Sequence, residues 1–298
     1  MHRSSPVTSE QQAIANLGNV GGKMVDTVAL NSRPFASRLR VRSVFISDVH
    51  LGTRECHANA LLEFLGAVDA EQIFLVGDIV DLWNMRRSTY WPQSHSEVLR
   101  TLFGKARQGC RVIYVPGNHD IDFRPFAGSV LGGFEVRRDC AHVTATGERL
   151  WVTHGDQFDG VVQCPGWLTA IGSHAYDVTL VLNRYVNTLR RALGFENWSL
   201  VAYLKRKIGN ASRYIADFEV AVAREARRQG FDGVICGHIH RPCMTEIDGA
   251  KYFNTGDWVE SCSLLIEDRN GRVSLTNWPQ LRTQLGLDAA TIALEQAA

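Results

Sequence analysis

Five short apolar stretches of this 298-residue chain run directly into aspartate, asparagine or histidine. They are Phe45-Ile46-Ser47-Asp48-Val49-His50, Ile73-Phe74-Leu75-Val76-Gly77-Asp78, Val112-Ile113-Tyr114-Val115-Pro116-Gly117-Asn118-His119-Asp120, Leu150-Trp151-Val152-Thr153-His154-Gly155-Asp156 and Val234-Ile235-Cys236-Gly237-His238-Ile239-His240. Parallel strands present side chains at their carboxyl ends, in the crevice where α/β sheets bind ligands. Carboxylate, amide and imidazole donors gathered there would hold divalent cations. Two cations about 3.5–4 Å apart, sharing one ligand, activate water for hydrolysis of phosphoesters. That is the chemistry these residue types could do together.

Each donor has an expected part. Asp48 and His50 stand two apart at a strand end, where a local bend would turn both to one ion. Asp78 follows a glycine that lets the backbone approach closely, and its two oxygens make it the natural bridge. Asn118 offers a neutral amide oxygen, and His154, His238 and His240 offer imidazoles. Mixed imidazole and oxygen donors suit Mn, the first expectation, or Fe or Zn, and argue against Mg or Ca alone. A lone Asp-x-His pair is usually accidental; five such elements in order, each behind an apolar strand, form a pattern.

Around the ligands, His119 is the candidate group to stabilise developing charge or protonate a leaving oxygen, with Asp120 its expected orienting carboxylate. Asp81 reads as a loop-capping or supporting residue, and Asn254-Thr255-Gly256-Asp257-Trp258 as a frame of the site. Arg86, Arg87, Lys205, Arg206 and Lys207 are candidates to meet substrate phosphates, with surface solvation as the plainer account of each.

Alternation of strands and helices must position these groups. Val41 to Ser47, Gln72 to Val76 and Arg111 to Val115 read as strands. Between them lie a helix from His57 to about Val68 and another opening on the capping box Ser94-x-x-Glu97 and ending near Gly109. Such units impose parallel pairing. Shorter strands follow at Phe134–Val136, His142–Thr144 and Leu150–Thr153, with a turn at Thr146-Gly147. A final series runs Gly233 to Cys236, Tyr252-Phe253, Cys262 to Ile266 and Val273 to Leu275. Two sheets packed face to face with helices outside is the economical arrangement.

Residues 1–40, rich in Ser, Asn, Gly and Gln, read as a flexible arm, or as an over-extended start since Met24 could begin a shorter product. The main domain is expected over 41–276 and a surface tail with a weak helix over 277–298. A detour over about 157–230 is helical in pattern, with Val178, Leu182, Tyr185 and Leu189 spaced by four, three and four. From Arg184 to Arg213 it holds seven basic residues and one acidic. It reads either as a cap for a large anionic, partly apolar substrate or as a solvated helical hairpin packed on the core.

Composition sets limits. A net charge of +1 makes no case for a nucleic-acid partner. Seven cysteines without a C-x-x-C pair fit free thiols in a reducing cytosol better than a disulfide framework. No apolar run reaches the roughly 18 residues of a membrane span, and no signal-peptide core follows the first residues. The expected location is cytoplasmic. Trp167, Trp198 and Tyr203 beside basic residues suggest peripheral contact with the inner membrane.

Asp48-x-His50, Gly77-Asp78-x-x-Asp81, Gly117-Asn118-His119-Asp120, His154-Gly155-Asp156 and Gly237-His238-x-His240 together resemble the signature of the calcineurin-like metallophosphoesterase superfamily, over about Val41 to Leu275. The resemblance implies a four-layer α/β/β/α sandwich with a helical insertion. It also implies one ion on Asp48, His50, Asp78 and His240 and a second on Asp78, Asn118, His154 and His238. Within the superfamily the chain is most similar to the UDP-2,3-diacylglucosamine pyrophosphatase branch of lipid A biosynthesis. Gly77-Asp78-Ile79-Val80-Asp81-Leu82-Trp83, the basic helical insertion and His240-Arg241-Pro242 carry that likeness. The chain departs from the branch at His119, where the branch carries arginine and other superfamily phosphoesterases carry histidine.

The implied reaction is hydrolysis of a lipid-linked nucleotide to UMP and 2,3-diacylglucosamine 1-phosphate. The alternatives are a soluble metallophosphoesterase for another phosphodiester, nucleotide or phosphomonoester, and a metal-bearing scaffold without turnover. The complete ligand set with His119 argues against the scaffold.

Overall fold

The computed structural model describes residues 38–160 and 209–287, with helical positions 184, 186–188 and 190. Most of the expected arm, most of the expected cap and the end of the expected tail lie outside the described residues. Two sheets form the body. The first takes β1 (Leu39–Ile46), β2 (Val68–Val76) and β3 (Arg111–Val115), then β4 (Val130–Leu131) and β5 (Phe134–Val136), and later β11 (Ser263–Glu267) and β12 (Val273–Asn277). Its order is β12-β11-β1-β2-β3-β5-β4. The second takes β6 (Cys140–Val143), β7 (Arg149–Val152), β8 (Gly233–Cys236), β9 (Cys243–Ile247) and β10 (Ala250–Asn254), in the order β6-β7-β8-β10-β9.

The strands that matter for the site are the parallel ones. β1, β2 and β3 run parallel in the first sheet, and β7, β8 and β10 in the second. Their side chains alternate with the period of two that a strand imposes. Phe45, Phe74, Val76, Ile113 and Val115 of one sheet meet Leu150, Val152, Ile235 and Phe253 of the other in a buried core. The intervening Trp151, Val234, Cys236 and Tyr252 face outward, under a helix.

That helix, α4 (Gly209–Arg228), corrects the expected extent of the cap. It buries Phe218, Val222 and Ala226 on the outer face of the second sheet. The stretch read as a detour to residue 230 thus ends in an outer layer of the sandwich, because the apolar stripe of this helix covers a sheet face that would otherwise be wet. On the other side lie α1 (Ala58–Ala67), α3 (Gln93–Arg107) and α5 (Trp278–Gln284), while the one-turn α2 (Leu82–Met85) sits in the loop after β2. The result is the four-layer α/β/β/α order.

Local departures have local causes. β1 begins at Leu39 and β2 at Val68, straight after α1, because Leu39 pairs with Val68 and extends the parallel ladder. Helix α3 starts at Gln93 with Pro92 as its cap residue and no side-chain cap bond, so Ser94 sits inside the helix and the capping box does not form. Strand β9 was not expected: it is an exposed edge strand without apolar alternation. Its signal was the dipeptide Asp248-Gly249, both at positive φ (51° and 75°), which joins β9 to β10 as a two-residue hairpin turn. Helix α5 is anchored rather than loose: Asn277 caps it, Trp278 is buried against Phe64, and its indole donates to Glu63 at 3.1 Å.

Between the sheets, away from the strand ends just listed, a fully buried carboxylate is satisfied on every side. Glu267 accepts from Arg42 at 2.5 Å, Ser43 Oγ at 2.7 Å and the Ala145 N–H at 2.8 Å, and lies 2.8 Å from His142 Nε2. Burial alone would raise its pKa; His142, Ser43 and the Ala145 N–H outweigh burial and hold it at about 2. A depressed carboxylate pKa contributes stability above the unfolded value, near 4.5, that is lost as pH falls toward the folded one. The melting-temperature gap between wild type and Glu267→Gln is therefore expected to narrow between about pH 4.5 and pH 2. A gap that stays constant across that window would count against the network.

Candidate metal centre

All six parallel strands named above end at one crevice, and the chain leaves them by an unusual route. Among the described non-glycine residues at positive φ are Asp48 (51°), His50 (53°), Asp78 (54°), His238 (70°) and His240 (50°). Asp and His tolerate this left-handed conformation better than most residues, yet each instance costs on the order of 1–3 kcal/mol. The bends do what the spacing of two required: Asp48 and His50, and likewise His238 and His240, are turned out of strand alternation toward the crevice.

Backbone bonds hold the loops together. The loops after β1 and β2 continue the ladder as Asp48 N to Gly77 O, His50 N to Asp78 O and Leu51 N to Ile79 O. The ligand carboxylates then reach across: Asp78 Oδ1 accepts from His119 N at 2.8 Å, and Asp48 Oδ2 from His238 N at 3.0 Å. Close approach explains the glycines. A Cβ on Gly77 would fall on the His154 ring, one on Gly117 on Asp78 and His154, and one on Gly237 on Asp48.

Among the described residues three groups of donor atoms result: His50, Asp81 and His119 form one, beside the two that hold expected ligands. Asp48, His50 and His240 each offer one atom within 4.8 Å of the others, and so do Asp78, His154 and His238. Asn118 Oδ1 lies 3.2 Å from His154 Nε2, which lies 3.3 Å from Asp78 Oδ2. Ring orientation is set from behind, as metal-binding imidazoles require. His154 Nδ1 faces the Val76 carbonyl at 2.9 Å and His50 Nδ1 faces Asp81 at 2.9 Å, so both present Nε2 to the crevice. The structure thus brings Asp48, His50 and His240 together in one group and Asp78, His154 and His238 in another, with Asn118 beside His154.

The electrostatics fit cations. Asp48 Oδ1 is buried and accepts no hydrogen bond, with His240 Nε2 3.0 Å away. Burial opposes ionisation of Asp48, but His240 and then His154 outweigh it and hold the pKa at about 2. Asp78, buried likewise, is held well below the usual carboxylate range by His154, His50 and His119. Burial opposes the charge on His50 and His154 too, yet Asp81, Asp78 and Asp48 raise His50 to about 9, and Asp78, Asp48 and Asp156 raise His154 to about 10. Buried acids and imidazoles that lean on one another this way form a donor set suited to Mn, Fe or Zn.

A family model described as calcineurin-like phosphoesterase matches residues 41–242, more than half of the chain. The chain belongs to the calcineurin-like phosphoesterase family. A protein of Xanthomonas campestris named UDP-2,3-diacylglucosamine hydrolase is 26% identical over 247 residues, covering 77% of this chain and 96% of the relative. One of the same name from Neisseria meningitidis is 25% identical over 246 residues, covering 77% and 95%. A solved phosphoesterase from E. coli aligns over 78% of this chain and 97% of its own at 15% identity, with a TM-score of 0.40. Family membership makes the chain a metal-dependent hydrolase of a family with a dinuclear metal centre, and the donor groups above are the candidate ligands.

One assigned partner is corrected. Asp120 does not touch His119. It is fully buried and accepts from the N–H groups of Gly117 (2.5 Å) and Ile79 (2.8 Å) and from the Tyr114 hydroxyl (2.5 Å), so it pins the loops. Burial and nearby Asp78 raise its pKa despite the Tyr114 bond. The carboxylate that faces His119 Nδ1, at 3.0 Å, is Asp81, which also holds His50 and caps α2 through Asn84 N at 2.8 Å. Burial opposes ionisation of Asp81, but His119 and His50 keep it well below the usual range.

Arg86 is exposed and pairs with Asp122 at 2.6 Å, Arg87 is exposed, and Lys205, Arg206 and Lys207 lie outside the described residues. The frame at Asn254–Trp258 is seen: Asn254 Nδ2 donates to Gly237 O at 2.7 Å and Trp258 N to Asp48 O at 3.0 Å. Two residues received no role from sequence. Arg124 joins the Asn118 loop to the His154 loop through Asp156, at 2.6 and 2.7 Å. No spacing announces that pair, since its members lie 32 residues apart.

Proposed function

We propose that the chain hydrolyses a phosphoester or phosphoanhydride in a nucleotide-linked, acylated sugar of the UDP-2,3-diacylglucosamine class. The reaction class is supported above all by the convergence of both ligand groups and His119 on one crevice. The substrate class is supported by the names of the relatives, which match this chain along nearly their whole length. Under this reading Asp48, His50, Asp78 and His240 hold one divalent ion, and Asp78, Asn118, His154 and His238 the other, with Mn as the working choice. When bound, the pair supplies a hydroxide nucleophile near neutral pH and neutralises phosphoryl oxygens.

The chain's own groups do the rest. Asp81 Oδ1 stands 3.0 Å from His119 Nδ1, and under this reading Nε2 passes a proton to the departing oxygen. Trp83, half exposed and 5.0 Å from His119 edge to face, walls that side of the ring. Among the described residues no helix is long and apolar enough to cross a membrane. Access to a lipid-linked substrate would then come from contact at the membrane surface, through the basic stretch from Arg184 to Arg213, most of which lies outside the described residues.

His119 supports a second reading, a metallophosphoesterase for a non-lipid phosphodiester or nucleotide, because the lipid A branch carries arginine there. The deciding assay compares UDP-2,3-diacylglucosamine with bis-p-nitrophenyl phosphate on Mn-loaded protein. Release of UMP with poor cleavage of the model diester is expected. Cleavage of the model diester alone would overturn the lipid substrate and keep the hydrolase.

A further inference from the structure

His238 is held from behind by a group that no ligand pattern contains. Its Nε2 lies 2.7 Å from Asp159 Oδ1, and the same oxygen accepts from the Tyr214 hydroxyl at 2.7 Å. Asp159 follows the short 3-10 turn Asp156–Phe158 just after the His154 loop, while Tyr214 stands in the early turns of α4. The fully buried Phe218, one turn further along, packs its ring 5.8 Å from that of His238 and fills the space left by Gly155. Three separate segments therefore meet at one imidazole.

We infer that Asp159, steadied by Tyr214, is a positioning residue for the second metal position: it accepts a hydrogen bond from the Nε2–H of His238 and leaves Nδ1 as the ligating nitrogen. The reason is tautomeric. A neutral imidazole donates from one nitrogen and coordinates through the other, so the group bonded to the first decides which one faces the ion. His154 and His50 show the complementary choice: Nδ1 is held by Val76 O and Asp81, and Nε2 faces the crevice. His238, entering from the left-handed turn after β8, is held in the opposite sense. Because Tyr214 sits on α4, the helix that covers the second sheet has a direct hold on a metal ligand, and this position is coupled to a layer that the ligand motif never mentions. The inference rests on the two-ion reading above, and not on the identity of the substrate.

The test is metal binding by the whole chain, measured by Mn titration with an electron-paramagnetic-resonance readout of free ion. Wild type is expected to bind two ions; fewer than two would remove the two-ion reading itself, whatever the variants do. Asp159→Ala is expected to weaken one of the two by about 10–100-fold, the usual cost of losing a carboxylate behind a metal-bound imidazole, and to leave the other within about twofold. Asp159→Asn, which keeps an acceptor oxygen, is expected to recover most of that loss, and Tyr214→Phe to show a smaller one in the same ion. Melting temperatures of metal-free Asp159→Ala and wild type should agree. Two unchanged affinities in a folded Asp159→Ala protein would overturn the inference, as would equal weakening of both ions or failure of asparagine to do better than alanine.

Discussion

Asp78→Asn is expected to lower kcat/KM for a phosphodiester by on the order of 10³-fold or more, with weaker metal binding at both positions. A cation pair supplies several kcal/mol of charge stabilisation to phosphoryl transfer, and each 1.36 kcal/mol lost is tenfold in rate. Asp78 is the one residue proposed for both ions. Its Oδ1 already accepts from His119 N, and its Oδ2 lies beside His154. Asparagine keeps the size and one oxygen, and offers an N–H₂ in place of the other. Asparagine adds no volume and keeps an Oδ1 that can accept from His119 N, so the loops should keep their path. Elemental analysis after dialysis checks the cause. Retention of two ions per chain in the Asp78→Asn protein would show that Asp78 is not the bridge, even if activity fell.

His119→Ala is the second large effect, and it should separate from the first by metal content. His119 groups with His50 and Asp81 and not with Asp48 or Asp78, so under the proposed ligand sets two ions should remain bound. The rate constant kcat is expected to fall by about 10²–10⁴-fold, the range for a lost acid–base group. Turnover of an activated diester within about twofold of wild type would leave His119 without a chemical role. The neighbouring carboxylate sharpens the test. Because Asp81 faces both His119 and His50, Asp81→Ala should reproduce the loss in kcat and also weaken the ion held by His50, whereas Asp120 is expected to act through loop position alone. A variant at Asp120 that lost activity while its loops kept their bonds would restore the original pairing of Asp120 with His119.

Much of this site is written in short-range sequence. Apolar runs of four or five residues followed by Asp, Asn or His identify strand ends that carry ligands. The period of two, with Gly77, Gly117 and Gly237 beside those ligands, is enough to place them at one edge of an α/β body. The same local signals would have found β9, since Asp248-Gly249 is a hairpin turn whose meaning does not depend on the rest of the chain. Other features are weaker in the sequence because they depend on what an element lies against. Helix α4 and the start of α5 look like cap and tail when read alone, and belong to the body only because Phe218 and Trp278 find a sheet and a helix to cover.

The ligand types, their order and the family signature followed from the residues themselves. What the tertiary structure decided was which group stands behind each ligand. Asp120 is next to His119 in the chain and faces away from it, whereas Asp81, 38 positions earlier, faces it; Asp159 reaches His238 across 79 positions. A side chain's direction follows from the φ and ψ of its own residue. Its partner depends on where a second loop, leaving another strand through a left-handed bend, is brought by packing of the two sheets. No local pattern encodes that meeting, because the energy that fixes it comes from the buried core between the sheets.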